Sequence, residues 1–438
     1  MRLLFFTSDE GGGFGHIARC LSIIQEAQNR DHECAMVLSE GKHRGKIDSK
    51  VKIFFEGSMR NEKTFQFIFK SLFILCRQVE PVFLKISGLD YQIIRDGLVD
   101  RESVLKKIRR YVDIIKEYKP NLIIGDTNLL AWIVARKIEI PVVQVIQGAY
   151  HPDYGKLIWW EEAGDEKMVA PQGRLLFNPI LEEMNLQPIS RAEDLLRGDA
   201  YLVPGIPEID PSPCENQPTY VGAMTSNENR YGHLQATLSD TAIRGKKMVY
   251  VSVGGGARGL GNKTILSTIV EAFAQKDVDV VISTGGKVSK EKLPCESSNI
   301  SIYPWVSGRE MISRADLILF HGGYSTMMEC LSCGKPSIVI PYHSEQEGNG
   351  RRLEKTGCGI VLKPSKAPYR IVKARWMYGT YSYCVQDRFD LAPEDIWKKV
   401  DIILNDSKYL KNSRELQSHT RKYYGAKGVM DLLEKKYQ

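Results

Sequence analysis

Short apolar runs alternate with longer amphipathic stretches along the first half of the chain. Arg2–Ser8 (RLLFFTS), Glu33–Ser39 (ECAMVLS), Asn121–Asp126 (NLIIGD) and Pro141–Ile146 (PVVQVI) have the length and composition of buried strands. Between them, Ala18–Arg30, Ser103–Tyr118 and Leu129–Ile138 carry apolar side chains at helical spacing. Strands that are apolar on both faces belong in a parallel sheet covered by helices on each side, since only there are both faces kept from water. The alternation stops between Val203 and Pro218, where five prolines predict an extended linker. It then restarts. Lys247–Gly256, Asp279–Gly286, Asp316–Gly323, Pro336–Pro341 and Gly359–Lys363 read as the strands of a second sheet. The pattern predicts two doubly wound α/β units, residues 1–220 and 221–438. Ligands of such sheets bind beyond the carboxyl ends of the strands, so the cleft between the units is the expected site.

Length agrees with this division, because 438 residues exceed what one core usually supports, roughly 250–300. The net charge of +7 is mild for such a chain. It suits an anionic substrate or an acidic membrane surface and gives no indication of nucleic acid. Nine cysteines are scattered, and Cys330-x-x-Cys333 has no second pair with which to bind zinc, so reduced core thiols are expected. Leu3–Phe6 is too short for a signal peptide, and Phe65–Cys76 is too short to span a bilayer and contains Lys70. A cytoplasmic protein is expected.

Three glycine-rich turns follow predicted strands. In the first, Gly11, Gly12, Gly13 and Gly15 precede His16 where a turn passes into a helix. The second, Gly254–Gly259 with Gly255, matches G-x-G-x-x-G, but the next strand ends Ile282-Ser-Thr-Gly-Gly286 without the acid that a dinucleotide ribose requires. The third is the most informative: HGGYSTMMECLSCGKPSIVIPYHSEQEGN, His321 to Asn349. His321, Gly322, Gly323, Ser325 and Thr326 lie at a strand-to-helix junction, where free N–H groups and the helix dipole favour a phosphate. Glu329 follows about one turn along and is placed for a ribose diol. Glu345 and Gln346 follow the next strand and are placed for sugar hydroxyls. Asp277 and Asp279 resemble a metal motif only superficially, and no metal is expected there.

From Trp305 to Gly359 the chain resembles the nucleotide-sugar-dependent family 1 glycosyltransferases of GT-B fold, whose signature is H-x-G-x-x-(S/T), a glutamate three residues on, G-x-P, then D/E-Q-x-x-N. The resemblance implies two Rossmann-like domains facing across a cleft, with the last helix free to cross back to the first. It implies a donor site of Gly15, Gly254, Gly255, Trp305, Val306, His321, Gly322, Gly323, Ser325, Thr326, Glu329, Glu345 and Gln346, with Trp305 stacked on the base. UDP is the expected nucleotide, and neither cofactor nor metal is required. Gly15-His16 matches the family's general base, and Asp126 matches the carboxylate that orients it, so direct displacement with inversion is implied. Two departures, Ser307-Gly308 in place of Pro-Gln and Glu345 in place of Asp, bear on the identity of base and sugar.

Tyr150, Trp159 and Trp160 form an aromatic stretch in the acceptor half and are expected to bind a small-molecule acceptor. The alternatives are an epimerase or hydrolase on the same architecture, a non-catalytic partner of another transferase, and a lipid transferase at the membrane surface. A homodimer is compatible with the sequence. Lys366–Phe389 lengthens the loop after the last sheet strand and is rich in aromatic and basic residues. It predicts a hairpin around Gly379 that reaches over the cleft to an acceptor or meets a second subunit, with core packing as the alternative.

Overall fold

The apolar runs assemble into two parallel sheets. The computed structural model describes residues 1–8, 14–39, 47–56, 81–154, 168–212, 218–224, 246–254, 262–293 and 297–438. In chain order the first strands are β1 (Arg2–Thr7), β2 (Glu33–Leu38), β3 (Lys52–Phe55), β4 (Phe83–Lys85), β5 (Leu122–Asp126), β6 (Val142–Val145), β7 (Ala200–Val203) and β8 (Thr219–Tyr220). All but β4 form one sheet in the order β3-β2-β1-β5-β6-β7-β8, with every pairing parallel. The second sheet contains β9 (Met248–Ser252), β10 (Asp279–Ser283), β11 (Ile300–Tyr303), β12 (Leu317–Phe320), β13 (Ser337–Val339) and β14 (Gly359–Val361). Its order is β11-β10-β9-β12-β13-β14, again parallel throughout. Central strands such as β1 and β5 are buried along nearly their whole length, which is why they read as continuous apolar runs. In each sheet the order reverses beside the first strand, between β1 and β5 and between β9 and β12. A crevice opens at such a switch point, beyond the carboxyl ends of the strands.

The proline-rich stretch differs from an extended tether. Ile206 and Ile209 pack into the core of the second unit, and Asp210 is fully buried. The prolines shape the backbone, but two isoleucines three residues apart give it an apolar side that water disfavours. At the other end of the chain, helix Ala426–Tyr437 returns to the first unit. Its Val429, Met430 and Leu433 share a core with Ile17, Cys20 and Ile24 of helix Gly15–Gln28.

The insertion forms a hairpin of β15 (Arg370–Trp376) and β16 (Gly379–Gln386), turning at Met377-Tyr378. Its destination corrects the expectation of a free arm over the cleft. β16 pairs antiparallel with β4 of the first unit, giving a small sheet ordered β15-β16-β4. Val372, Trp376, Tyr381, Tyr383 and Val385 are buried in the first unit's core. Tyr91 seals the joint: its ring lies 5.3 Å from that of Tyr383, and its hydroxyl donates to the Ser382 carbonyl at 2.7 Å. The aromatic character seen in the sequence therefore marks buried side chains.

Candidate active site

β1 and β5 pair with Thr7 opposite Asp126, so the carboxylate stands at the end of its strand beside the start of helix Gly15–Gln28. His16, in the first turn of that helix, points Nδ1 at Asp126 Oδ1, 2.7 Å away. Arg19, one turn further on the same face, donates from Nε and Nη2 to the two oxygens of Asp126 at 3.0 and 2.6 Å. Burial alone would raise the Asp126 carboxyl. The charges of Arg19 and His16, with their hydrogen bonds, outweigh it and hold the group down at about 2. Asp126 is thus a carboxylate at every physiological pH.

Across the cleft, helix Tyr324–Ser332 begins after β12 with Gly323 as its N-cap. No side chain caps it, so its first N–H groups remain for a ligand. Ser325 and Thr326 lie in its first turn. The two helix starts converge: a Cβ on Gly15 would stand 3.3 Å from Ser325 Oγ, and Arg19 Nη1 donates to that same oxygen at 3.3 Å. Two positive helix ends and one guanidinium therefore meet at a single point, a field suited to a diphosphate.

His321 follows β12, in the turn before that helix. Its Nδ1 is buried without a hydrogen-bond partner. Burial, and then the neighbouring His343, push its pKa down to about 4, so it is a neutral imidazole. Glycine at 254 and 322 is a steric requirement here. A Cβ at Gly254 would meet the His321 ring at 2.4 Å, and one at Gly322 would meet the Gln346 carbonyl at 2.5 Å; both have φ in the left-handed region, +77° and +88°.

Helix Ser344–Lys355 carries Glu345 and Gln346. Glu345 accepts from Gln147 Nε2 of the first unit at 2.8 Å and from Asn349 Nδ2 at 3.1 Å. Asn349 also donates to the Gly322 carbonyl at 2.9 Å, which ties this helix to the phosphate-side turn. Gln346 accepts from the Tyr342 N–H. Glu329 is half-buried on helix Tyr324–Ser332. Trp305 and Val306 follow β11, with Trp305 against Gly286 and Val306 on the second unit's core. Tyr150 is buried against the first unit's core, leaving little of its ring for an acceptor. Gly11–Gly13, Gly255, Trp159, Trp160 and the Phe65–Cys76 segment lie outside the described residues.

Sequence reasoning missed Arg19, Gln147 and a buried hub at Asp210. Asp210 accepts from the Gly148 N–H at 2.7 Å and from the Tyr324 hydroxyl at 2.9 Å, and it pairs with Arg352 at 3.1 Å. It joins the linker, the first unit and the second unit. One signal for it was an acid set between prolines in Ile209-Asp-Pro-Ser-Pro213. Arg19 could have been found as a cation one turn after His16. Among the described residues no group of three or more His, Cys, Asp or Glu side chains is placed to hold a metal ion, and no helix is long and apolar enough to cross a membrane.

Known proteins are similar to this chain in sequence and in fold. The profile of the glycosyltransferase family 28 C-terminal domain matches residues 248–375. An uncharacterized glycosyltransferase of Methanosarcina mazei is 23% identical over 99% of this chain and 98% of its own. The NDP-glycosyltransferase YjiC of Bacillus subtilis is 24% identical over 63% of this chain and 70% of its own. The crystal structure of CalG4, the calicheamicin glycosyltransferase, superposes with a TM-score of 0.67 at 16% identity, covering 100% of this chain and 97% of that one. The spinosyn rhamnosyltransferase SpnG complexed with thymidine diphosphate gives 0.63 at 16% identity, over 99% and 100%. The matching profile is that of family 28, so the likeness extends beyond the family 1 signature. With the two parallel-sheet units, these findings support a UDP-glycosyltransferase-like family for the chain, a glycosyltransferase of GT-B fold.

Proposed function

We propose that this enzyme transfers a sugar from a nucleoside diphosphate, with UDP the first candidate, to the hydroxyl of a small-molecule acceptor in the cytoplasm. The reaction proceeds with inversion, His16 is the general base, and no metal takes part. The observation that carries this reading is the 2.7 Å contact of His16 Nδ1 with Asp126, set directly opposite the uncapped helix start at Ser325. An acceptor hydroxyl is a weak nucleophile until it loses its proton. With Nδ1–H donated to Asp126, Nε2 is free to take that proton as the new bond to the anomeric carbon forms. The bond from that carbon to the diphosphate oxygen breaks on the opposite side. The departing charge is met by the N–H groups of helix Tyr324–Ser332, by Thr326 and by neutral His321 as a hydrogen-bond donor. Glu329 takes the ribose, Trp305 the base, and Glu345 with Gln346 the sugar.

The relatives support an acceptor of natural-product or glycolipid type, since they include a calicheamicin glycosyltransferase and a PGL/p-HBAD biosynthesis glycosyltransferase of Mycobacterium tuberculosis. The thymidine diphosphate complex of SpnG makes dTDP the second candidate nucleotide. A panel of nucleotide sugars read by thermal shift identifies the donor, because a ligand that binds only the folded state raises stability. His16→Ala should then lower turnover by about 10²–10⁴ while nucleotide affinity stays within about twofold. Near-wild-type turnover in that variant would sink the assignment.

A further inference from the structure

Arg19 is a cation at the centre of the site, between the Asp126 carboxylate and Ser325 on the diphosphate side. It is 5% exposed. Its Nη2 serves Asp126 Oδ1 at 2.6 Å and also lies 2.8 Å from His16 Nδ1, which is itself 2.7 Å from Asp126 Oδ1. Nδ1 cannot satisfy both neighbours. To bond to Asp126 it must carry a hydrogen; to accept from Arg19 it must present its lone pair. In a neutral ring these are the two tautomers. The second leaves the hydrogen on Nε2, where a general base needs a lone pair.

The remaining nitrogen of Arg19 indicates what decides between them. Nη1 already reaches Ser325 Oγ at 3.3 Å, in the first turn of the helix that suits a diphosphate. A diphosphate there puts negative charge beside the guanidinium in a buried setting, where such attraction is strong. It draws the guanidinium toward Ser325 and away from Nδ1. Resting on the donor and base roles assigned above, we propose that Arg19 is a positioning residue that holds His16 in the unreactive tautomer until a nucleoside diphosphate binds, whereupon Nδ1–H is given to Asp126 and Nε2 becomes the base.

The change moves one proton from Nε2 to Nδ1 by way of solvent, which the ring's 29% exposure allows, and alters neither net charge nor oxidation state. Among the described residues, the other titratable groups around this pair are Asp126, Cys20 and Tyr324. Asp126 stays ionised, and burial pushes Cys20 and Tyr324 well above their ordinary values, so neither changes charge in the neutral range.

The test is NMR of ¹⁵N-histidine-labelled protein at neutral pH, with the His16 signals identified by their loss in His16→Gln. Without nucleotide the Nε2–H form should dominate. Saturating UDP or dTDP should invert the ratio. In Arg19→Met the Nδ1–H form should dominate with or without nucleotide. Arg19→Lys has one nitrogen and cannot hold Asp126 and reach Ser325 together, so it should also lose the nucleotide dependence; it carries the test if the Met variant does not fold. A wild-type tautomer ratio unmoved by a nucleotide that calorimetry shows to be bound overturns the proposal. So does switching that persists in either Arg19 variant. Binding of neither nucleotide overturns the donor reading and this proposal with it. Full turnover in His16→Ala would overturn the base role while leaving the tautomer measurement as a separate result.

Discussion

His16 and His321 have different surroundings, and each follows from a few named neighbours. His16 has a carboxylate at 2.7 Å. His321 has a sealed Nδ1 without a hydrogen-bond partner, and burial, with a second imidazole nearby, pushes its pKa down to about 4 from an ordinary 6.5. That difference has a consequence for stability. The unfolded chain binds this proton first as pH falls, so the histidine's contribution is complete above pH 6.5 and is lost progressively toward pH 4. His321→Gln should lack that component. The drop in urea midpoint between pH 7 and pH 5 should therefore be smaller in the variant than in the wild type. An equal drop in both would assign the acid sensitivity to other groups. Both histidines stand at strand-to-helix turns that could be read from the sequence. Their neighbours could not, because Asp126, Arg19 and His343 come from other parts of the fold or one turn along the helix.

At the scale of elements, the hairpin β15–β16 shows how a motif can be seen and still be misplaced. The turn near Gly379 and the aromatic alternation were legible locally. The partner strand β4 was not: three residues, Phe83–Lys85, are too few to show any period. β8, at two residues, was unreadable for the same reason. Pairing with β4 sends Tyr381 and Tyr383 into the first unit's core, and the outer edge of β4 in turn meets the second unit, where the Leu84 N–H donates to the Tyr342 carbonyl and the Ile86 N–H to Ser344 Oγ, both at 2.8 Å. The donor-side loop before Glu345 is thereby stitched to the acceptor-side unit. Truncating a buried aromatic leaves a cavity, so Tyr383→Ala should cost about 3–5 kcal/mol in chemical denaturation. A cost below about 1 kcal/mol would mean that the hairpin is peripheral to the core.

At the scale of the molecule, a buried polar hub ties the two units together. Asp210 gathers the Gly148 backbone, Tyr324 and Arg352 in a pocket without exposed members. The Arg352 guanidinium has no hydrogen-bond partner, and that carboxylate balances its buried charge. Removing one member of a buried pair strands the other, so Asp210→Ala should destabilise by about 3–5 kcal/mol, and adding Arg352→Met should recover much of the loss. If Asp210→Ala unfolds with the wild-type midpoint, the hub does not join the units.

The sequence by itself determined the two parallel sheets, the glycine turns and the phosphate-side motif from His321 to Asn349. These are local: a strand apolar on both faces announces a parallel sheet, and strand, turn and helix lie next to one another in the chain. Only the tertiary structure decided that the linker packs into the second unit, that the insertion fills the first unit's core, and that Arg19 meets Asp126 and Ser325. Those contacts join residues separated by long stretches of chain. A buried ion pair between distant segments leaves no period in either, because the attraction that offsets the cost of taking both charges out of water exists only where the folded chain brings them together.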